Sequence, residues 1–143
     1  MELSQVSRIL GGQKVLGTRL QSRMDLVELA NQGLTKVAVS NLARHLSLSL
    51  KDMAALLPIT ERSLQRYTAR HHLNPTVSEQ VLQIAGVLAR GTEVFGGKDR
   101  FLAWANQPST ALSNKRPLEL LGSRFGTDLV LDELGRMEHG IFS

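Results

Sequence analysis

The chain has 143 residues, 42% hydrophobic, 21% charged and 4% aromatic, the composition of a globular protein with an aliphatic core, long enough to bury roughly 68 to 70% of its extended-chain surface in one domain or two small ones. It contains no Cys, which excludes disulfides, thiol catalysis and thiolate-bound zinc or iron–sulfur centres. The net charge is +4, so a polyanionic partner is compatible with the composition.

Residues 1–20 mix Glu2, Arg8, Lys14 and Arg19 with short apolar steps. They lack the apolar stretch and cleavage site of a secretory signal, so a cytoplasmic protein is expected, with this segment flexible. Helical periodicity begins after Ser22, a good N-cap with Asp25 in the first turn. Leu26, Leu29 and Ala30 follow, and Gly33 supplies the stop. A second amphipathic helix carries Val39, Leu42, Ala43 and Leu46 after a Thr35 cap.

Residues 50–67 read LKDMAALLPITERSLQRY, the pattern of two short helices crossing at a tight turn. Ser49 caps the first with Asp52 in its opening turn, and Met53, Ala54 and Leu57 face the core. Thr60 caps the second, whose Leu64 and Tyr67 point inward. Pro58 occupies the turn position where Gly is usual, so the turn cannot use a positive φ there. Arg62, Gln65 and Arg66 then lie outward as candidate base readers, because Arg bonds bidentately to guanine and Gln to adenine. Thr60, Ser63 and Arg70 are candidates for anchoring the phosphate backbone.

Asn74-Pro75 marks a boundary, because a residue before Pro is disfavoured in the α region. Residues 1–74 form an N-terminal helical region containing the helix-turn-helix at about 50–70, and residues 75–143 form a second helical domain. Val81, Ile84, Ala85, Leu88 and Ala89 continue at helical spacing, and Val130, Leu134, Met137 and Ile141 form a final apolar stripe. Strand signals are scarce. The expected fold is all-α. The longest apolar runs, Met53–Leu57 and Ile84–Ala89, fall far short of the ~20 residues that span a bilayer, so no membrane role is expected.

Charge divides along the chain. Residues 35–75 carry a net +4 and residues 117–143 a net −3, suggesting DNA for the first and a basic protein surface for the second. A solvated face would account for either.

The second half resembles the toxin-binding domain of the Xre/MbcA/ParS antitoxin family. The residues that carry the resemblance are Leu73 with Pro75, Val94-Phe95-Gly96, Trp104 with Pro108, Ala111-Leu112, Pro117 to Leu121, Gly126, Val130 and Leu134 to Gly140. Upstream, Ser22 to Leu26 and Gly33-Leu34 precede the helix-turn-helix as the family places them. Phe101 stands where the pattern has Ala, Ala105 where it has Leu, and Ser113-Asn114 where it has a Gly-rich turn. The resemblance implies a type II antitoxin that neutralises a cognate RES-domain, NAD-consuming toxin by occluding its active site. It also implies binding to operator DNA to repress its own operon and a larger toxin–antitoxin assembly, and because one recognition helix covers only a few base pairs a homodimer on paired half-sites is expected. Such a protein is not an enzyme and carries no cofactor. The implied toxin-facing residues are Asp132, Glu133, Arg136, Gly140, Ile141, Phe142 and Ser143. Asp128 joins them, since it shares a helical face with Asp132 and either carboxylate can accept an Arg. Trp104 is expected in the core.

No catalytic or metal constellation accompanies this. His71 and His72 are adjacent, so on a helix their side chains diverge by about 100°, and neither HExxH nor GxSxG occurs. Two other readings stay open: a stand-alone regulator whose second half only dimerises or senses a ligand, and a pure inhibitor with a vestigial helix-turn-helix. Deleting residues 117–143 is the separating test the sequence suggests.

Overall fold

The computed structural model describes residues 2–140, and nothing in that range is a strand. The helices are α1 (Leu3–Leu10), α2 (Gln13–Leu16), α3 (Arg23–Gln32), α4 (Lys36–His45), α5 (Leu50–Ala54), α6 (Glu61–Arg66), α7 (Pro75–Phe95), α8 (Lys98–Ala105) and α9 (Arg124–Glu138). Two 3₁₀ segments, Thr110–Leu112 and Pro117–Gly122, lie between α8 and α9.

Local chemistry sets most helix starts. Ser22 and Asp25 form a reciprocal capping box on α3, satisfying two of the donors that a helix start leaves open. Asn74 accepts from the Val77 amide at 2.9 Å, and Pro75 fills the first position of α7, where a missing N–H costs nothing. At α4 the expected Thr35 side-chain cap is absent. The open amides of Lys36 and Val37 instead donate to the carbonyls of His71 and Ala69, so the loop after α6 does the capping.

Helix α7 is the organising element, in contact with α1, α3, α4, α8 and α9. Val81, Ile84, Ala85 and Val87 are fully buried along it. Buried polar groups fix its neighbours. The Ser78 hydroxyl accepts from the Leu34 amide at 2.9 Å, and the Gln80 amide donates to the Leu121 carbonyl at 2.6 Å. The start of α7 coincides with the sequence boundary at residue 75, yet one continuous apolar core runs across it from Val6 to Leu134. Residues 3–20 join that core rather than fraying. Val6 and Leu10 of α1 are fully buried, on a stripe too short to register against the charges around it.

The Phe101 departure has a structural counterpart. Phe101 is fully buried, and a Cβ added at Gly91 would sit 2.2 Å from its ring. Phe95 and Trp104 complete the aromatic cluster, with Trp104 only partly buried. Phe101→Ala should cost about 3 to 5 kcal/mol by cavity formation, and Gly91→Ala should cost stability by overpacking. The double variant should cost clearly less than the sum, because the new methyl enters the vacated space. Urea unfolding of the three variants checks this. The Ser113-Asn114 turn holds both residues in the left-handed region, at φ 57° and 61°, the conformation that a glycine turn would adopt freely.

Candidate DNA-reading and protein-docking faces

The first candidate site is the outer face of α6. Met53, Ala54 and Leu57 of the first helix and its turn are buried, as is Leu64 on the inner side of α6. Thr60 caps α6, accepting from the Ser63 amide at 3.1 Å and donating its hydroxyl to Ser63 Oγ at 2.9 Å. These two hydroxyls therefore serve each other first. Arg62 and Arg66 are exposed and make no ion pair or hydrogen bond through their guanidinium groups among the described residues. Gln65 is exposed, with its amide donating to Glu61 at 3.0 Å along the helix.

Arg70 requires a correction. As a backbone anchor of the second helix, together with Thr60 and Ser63, it would continue that helix by one turn, but α6 ends at Arg66, because Tyr67 swings to an extended backbone at φ −72°, ψ 142°. The following loop is then held by the Lys36 and Val37 amides. Arg70 is exposed in that loop, beside α6 rather than on it. Lys36 counts in the sequence only toward the basic charge of residues 35–75, but its Nζ donates to the carbonyls of Gln65 and Tyr67 at 3.2 and 2.9 Å. A cation at a helix C-terminus satisfies carbonyls that would otherwise stay open. The two adjacent histidines part company: His71 stacks on the Tyr67 ring, and His72 Nδ1 donates to the Gly33 carbonyl at 2.8 Å.

The second candidate site is the outer face of α9. Its inner face buries Val130, Leu134 and Thr127 against α7. Asp128 and Asp132 are exposed and have no ion-pair partner among the described residues. Between and beside them stand Leu129, 51% exposed, and Phe125, 86% exposed. Sequence reasoning passed over both. The available signal was a large apolar residue out of register with the Val130–Leu134 stripe. Arg124 also borders a groove between α3 and α7 of about 360 Å³, whose wall includes Leu26, Val27 and Leu82.

Glu133 does not belong to this face. It is only 5% exposed, and its carboxylate is held by the Arg136 guanidinium one turn on. Position 133 lies on the flank of the inward stripe, so the count of acids overstated the exposed charge. Arg136 is half-exposed but occupied by that pair, and Gly140 is exposed at the end of the described chain. Ile141, Phe142 and Ser143 lie outside the described residues.

The last turn of α9 is tied down by Arg90 of α7, which donates two hydrogen bonds to Glu138 at 2.5 and 2.6 Å. That guanidinium holds the Glu138 carboxyl below the ordinary carboxylate range. A carboxyl lowered in the folded state adds stability that is complete above its unfolded value, about 4.3. The contribution is lost as pH falls through the lowered value. Amide exchange at residues 134–139 should therefore be slow, relative to intrinsic rates, at pH 7, and speed up below pH ~4 before the α7 core opens. No group of three or more His, Asp or Glu among the described residues is placed to hold a metal ion.

Comparison with known proteins follows this division. A model of the antitoxin Xre-like helix-turn-helix domain matches residues 25–86, and a model of the antitoxin Xre/MbcA/ParS C-terminal toxin-binding domain matches residues 90–140. The chain belongs to the Xre/MbcA/ParS antitoxin family. The Antitoxin Xre of Yersinia enterocolitica is 28% identical over 120 residues, covering 82% of this chain and 81% of that one. The Antitoxin Xre of Photorhabdus laumondii is 24% identical over 132 residues, covering 91% and 89%. A chain of the Mycobacterium tuberculosis MbcT–MbcA toxin–antitoxin complex shares the fold at a TM-score of 0.57 and 23% identity, over 73% of this chain and 94% of its own. Within this antitoxin, the helix-turn-helix match reaches into α7 and the toxin-binding match contains all of α8 and α9. No helix among the described residues is long and apolar enough to cross a membrane.

Proposed function

We propose that this antitoxin binds and neutralises a cognate RES-domain, NAD-consuming toxin through the outer face of α9, and represses its own operon through α6. It acts by binding alone, without catalysis or cofactor. The observation that carries the reading is the pairing of Phe125 and Leu129 with unpartnered Asp128 and Asp132 on one exposed helical face, inside the segment matched by the toxin-binding model. Apolar side chains this exposed are what a partner covers. The two carboxylates suit a basic rim, and an enzyme that takes the anionic pyrophosphate of NAD needs positive charge at its site mouth. An acidic helix laid across that mouth excludes substrate both sterically and electrostatically. Gly140 and the residues after it extend the contact.

On the DNA side, Arg62, Gln65 and Arg66 read bases, with Arg70 on the phosphates. One short helix spans few base pairs, so two copies act on paired half-sites about one helical turn apart. Co-expression with a candidate RES-domain protein, sought first in the neighbouring gene, followed by size-exclusion chromatography, tests the first part. A stable complex is expected, and two separate peaks would overturn it. For the second part, Arg66→Ala should weaken binding to a duplex from its own promoter by about 1 to 3 kcal/mol, with little change on a random duplex.

A further inference from the structure

We propose that the DNA-contacting surface continues beyond α6 as a track of cations, from Lys36 along the outer face of α4 to Arg44, Arg8 and Lys98, that holds the phosphate backbone. The proposal rests on the reading of α6 as the base-reading element, and it recruits α1 and α8, which lie outside the helix-turn-helix match.

Two surface depressions join along α4. Lys36, Ser40, Asn41, Arg44 and Ala69 line the first, and Asn41 and Arg44 also line the second, which adds Arg8, His45 and Lys98. No carboxylate lines either one. The track starts at the recognition helix itself, because Lys36 sits on the last carbonyls of α6, and Ala69 belongs to the loop that presents Arg70. Arg8, Arg44 and Lys98 are exposed and have no ion-pair partner among the described residues, whereas Arg90, Arg116 and Arg136 are each paired.

The cluster is held in place rather than thrown together on mobile side chains. Asn41 Nδ2 donates to the Leu10 carbonyl at 2.9 Å, and Val6 and Leu10 are fully buried, so α1 presents Arg8 from a fixed helix. Arg44 is bonded to the Asn41 side chain one turn back. His45 lies half-buried among these cations. Burial, then the charges of Lys98 and Arg44, hold its pKa below the ordinary range, so the field in the depression is positive. From Lys36 to Arg44 the axis of α4 advances about 12 Å. That length exceeds one phosphate group, so the row can meet successive phosphates of one strand. A row of separated cations without acids at this spacing suits a polyphosphate backbone better than a single small anion.

The test uses the full chain with Arg8→Gln, Arg44→Gln and Lys98→Gln combined, checked for wild-type helicity and melting temperature. Binding is measured from 50 to 200 mM KCl on two 30-bp duplexes, one from its own promoter and one of random sequence. Each lost phosphate contact lowers the slope of log K against log salt by about 0.9. The triple variant should therefore lose about two to three units of slope on both duplexes and keep the ratio of their affinities. Arg66→Ala should instead collapse that ratio. An unchanged slope in the triple variant, with Arg66→Ala still collapsing the ratio, overturns the track and leaves base reading by α6 standing. A reduced slope with no effect of Arg66→Ala supports the track and overturns base reading. Wild-type protein that binds neither duplex overturns both. A triple variant that keeps its slope but loses the toxin complex assigns these cations to the protein partner and overturns the track.

Discussion

Phe125→Ala should weaken the complex with the cognate toxin by about 2 to 4 kcal/mol, roughly 30- to 1000-fold in Kd, while leaving the fold intact. Phe125 is 86% exposed, so truncating it removes almost no packing from the free protein, and stability should stay within about 0.5 kcal/mol of wild type. In a protein interface the same ring is the largest anchor that α9 offers. Charge-assisted contacts from Asp128 and Asp132 would then ring it with polar pairs, the arrangement in which a central aromatic dominates. Titration calorimetry on the purified pair reads the affinity, and a thermal melt confirms the fold. An affinity within threefold of wild type would remove Phe125 from the docking face. The contrast with Phe101→Ala is instructive, because there the same truncation empties the core.

Gly126→Ala should be the most damaging single-methyl change in the C-terminal half. A Cβ at this position would lie 1.8 Å from the Leu120 carbonyl oxygen and 2.8 Å from its carbon. Both are backbone atoms, so no side-chain rotation relieves the contact. The start of α9 must move off the Pro117–Gly122 segment, and that movement breaks the Ser123 cap on the Gly126 amide. Overpacking together with a lost cap should cost about 3 kcal/mol or more, or about 10 °C in melting temperature for a chain of this size. Circular dichroism melts decide it. A shift under 2 °C would mean that the segment and α9 separate freely, and the packing argument for this corner would fall.

The same corner shows why deleting residues 117–143 is a poor test of function. Leu118, Leu121, Val130 and Leu134 would leave the core with the deletion, so lost neutralisation would report unfolding. Substitutions on the outer face of α9 avoid that.

Helix caps and apolar spacing were legible wherever a helix provides for itself. Ser22 with Asp25, Ser49 and Thr60 all cap as their sequence context suggests. Reading failed where a distant segment takes over. Thr35 does not cap α4, because carbonyls more than thirty residues away supply its partners. Arg70 left the recognition helix for the same reason, since those contacts hold the loop in a course that α6 cannot follow. The family resemblance implies that Glu133 and Arg136 both face the toxin, but the angle of Glu133 on α9 is that of the buried flank, and Arg136 is its partner. Phe125 and Leu129 were passed over for the opposite reason, although both stand out of register with the Val130–Leu134 stripe. Apolar residues are read as core until the core is seen to be complete without them.

The central claim is that the outer face of α9 silences the toxin. The most direct measurement is cellular NAD after induction of the RES-domain protein, with either wild-type antitoxin or the Phe125→Ala/Asp132→Lys double variant at equal level. Sustained NAD with the wild type and depletion with the variant, whose promoter binding remains normal, is the expected result. NAD that falls equally with both, or stays high with both, would contradict the account.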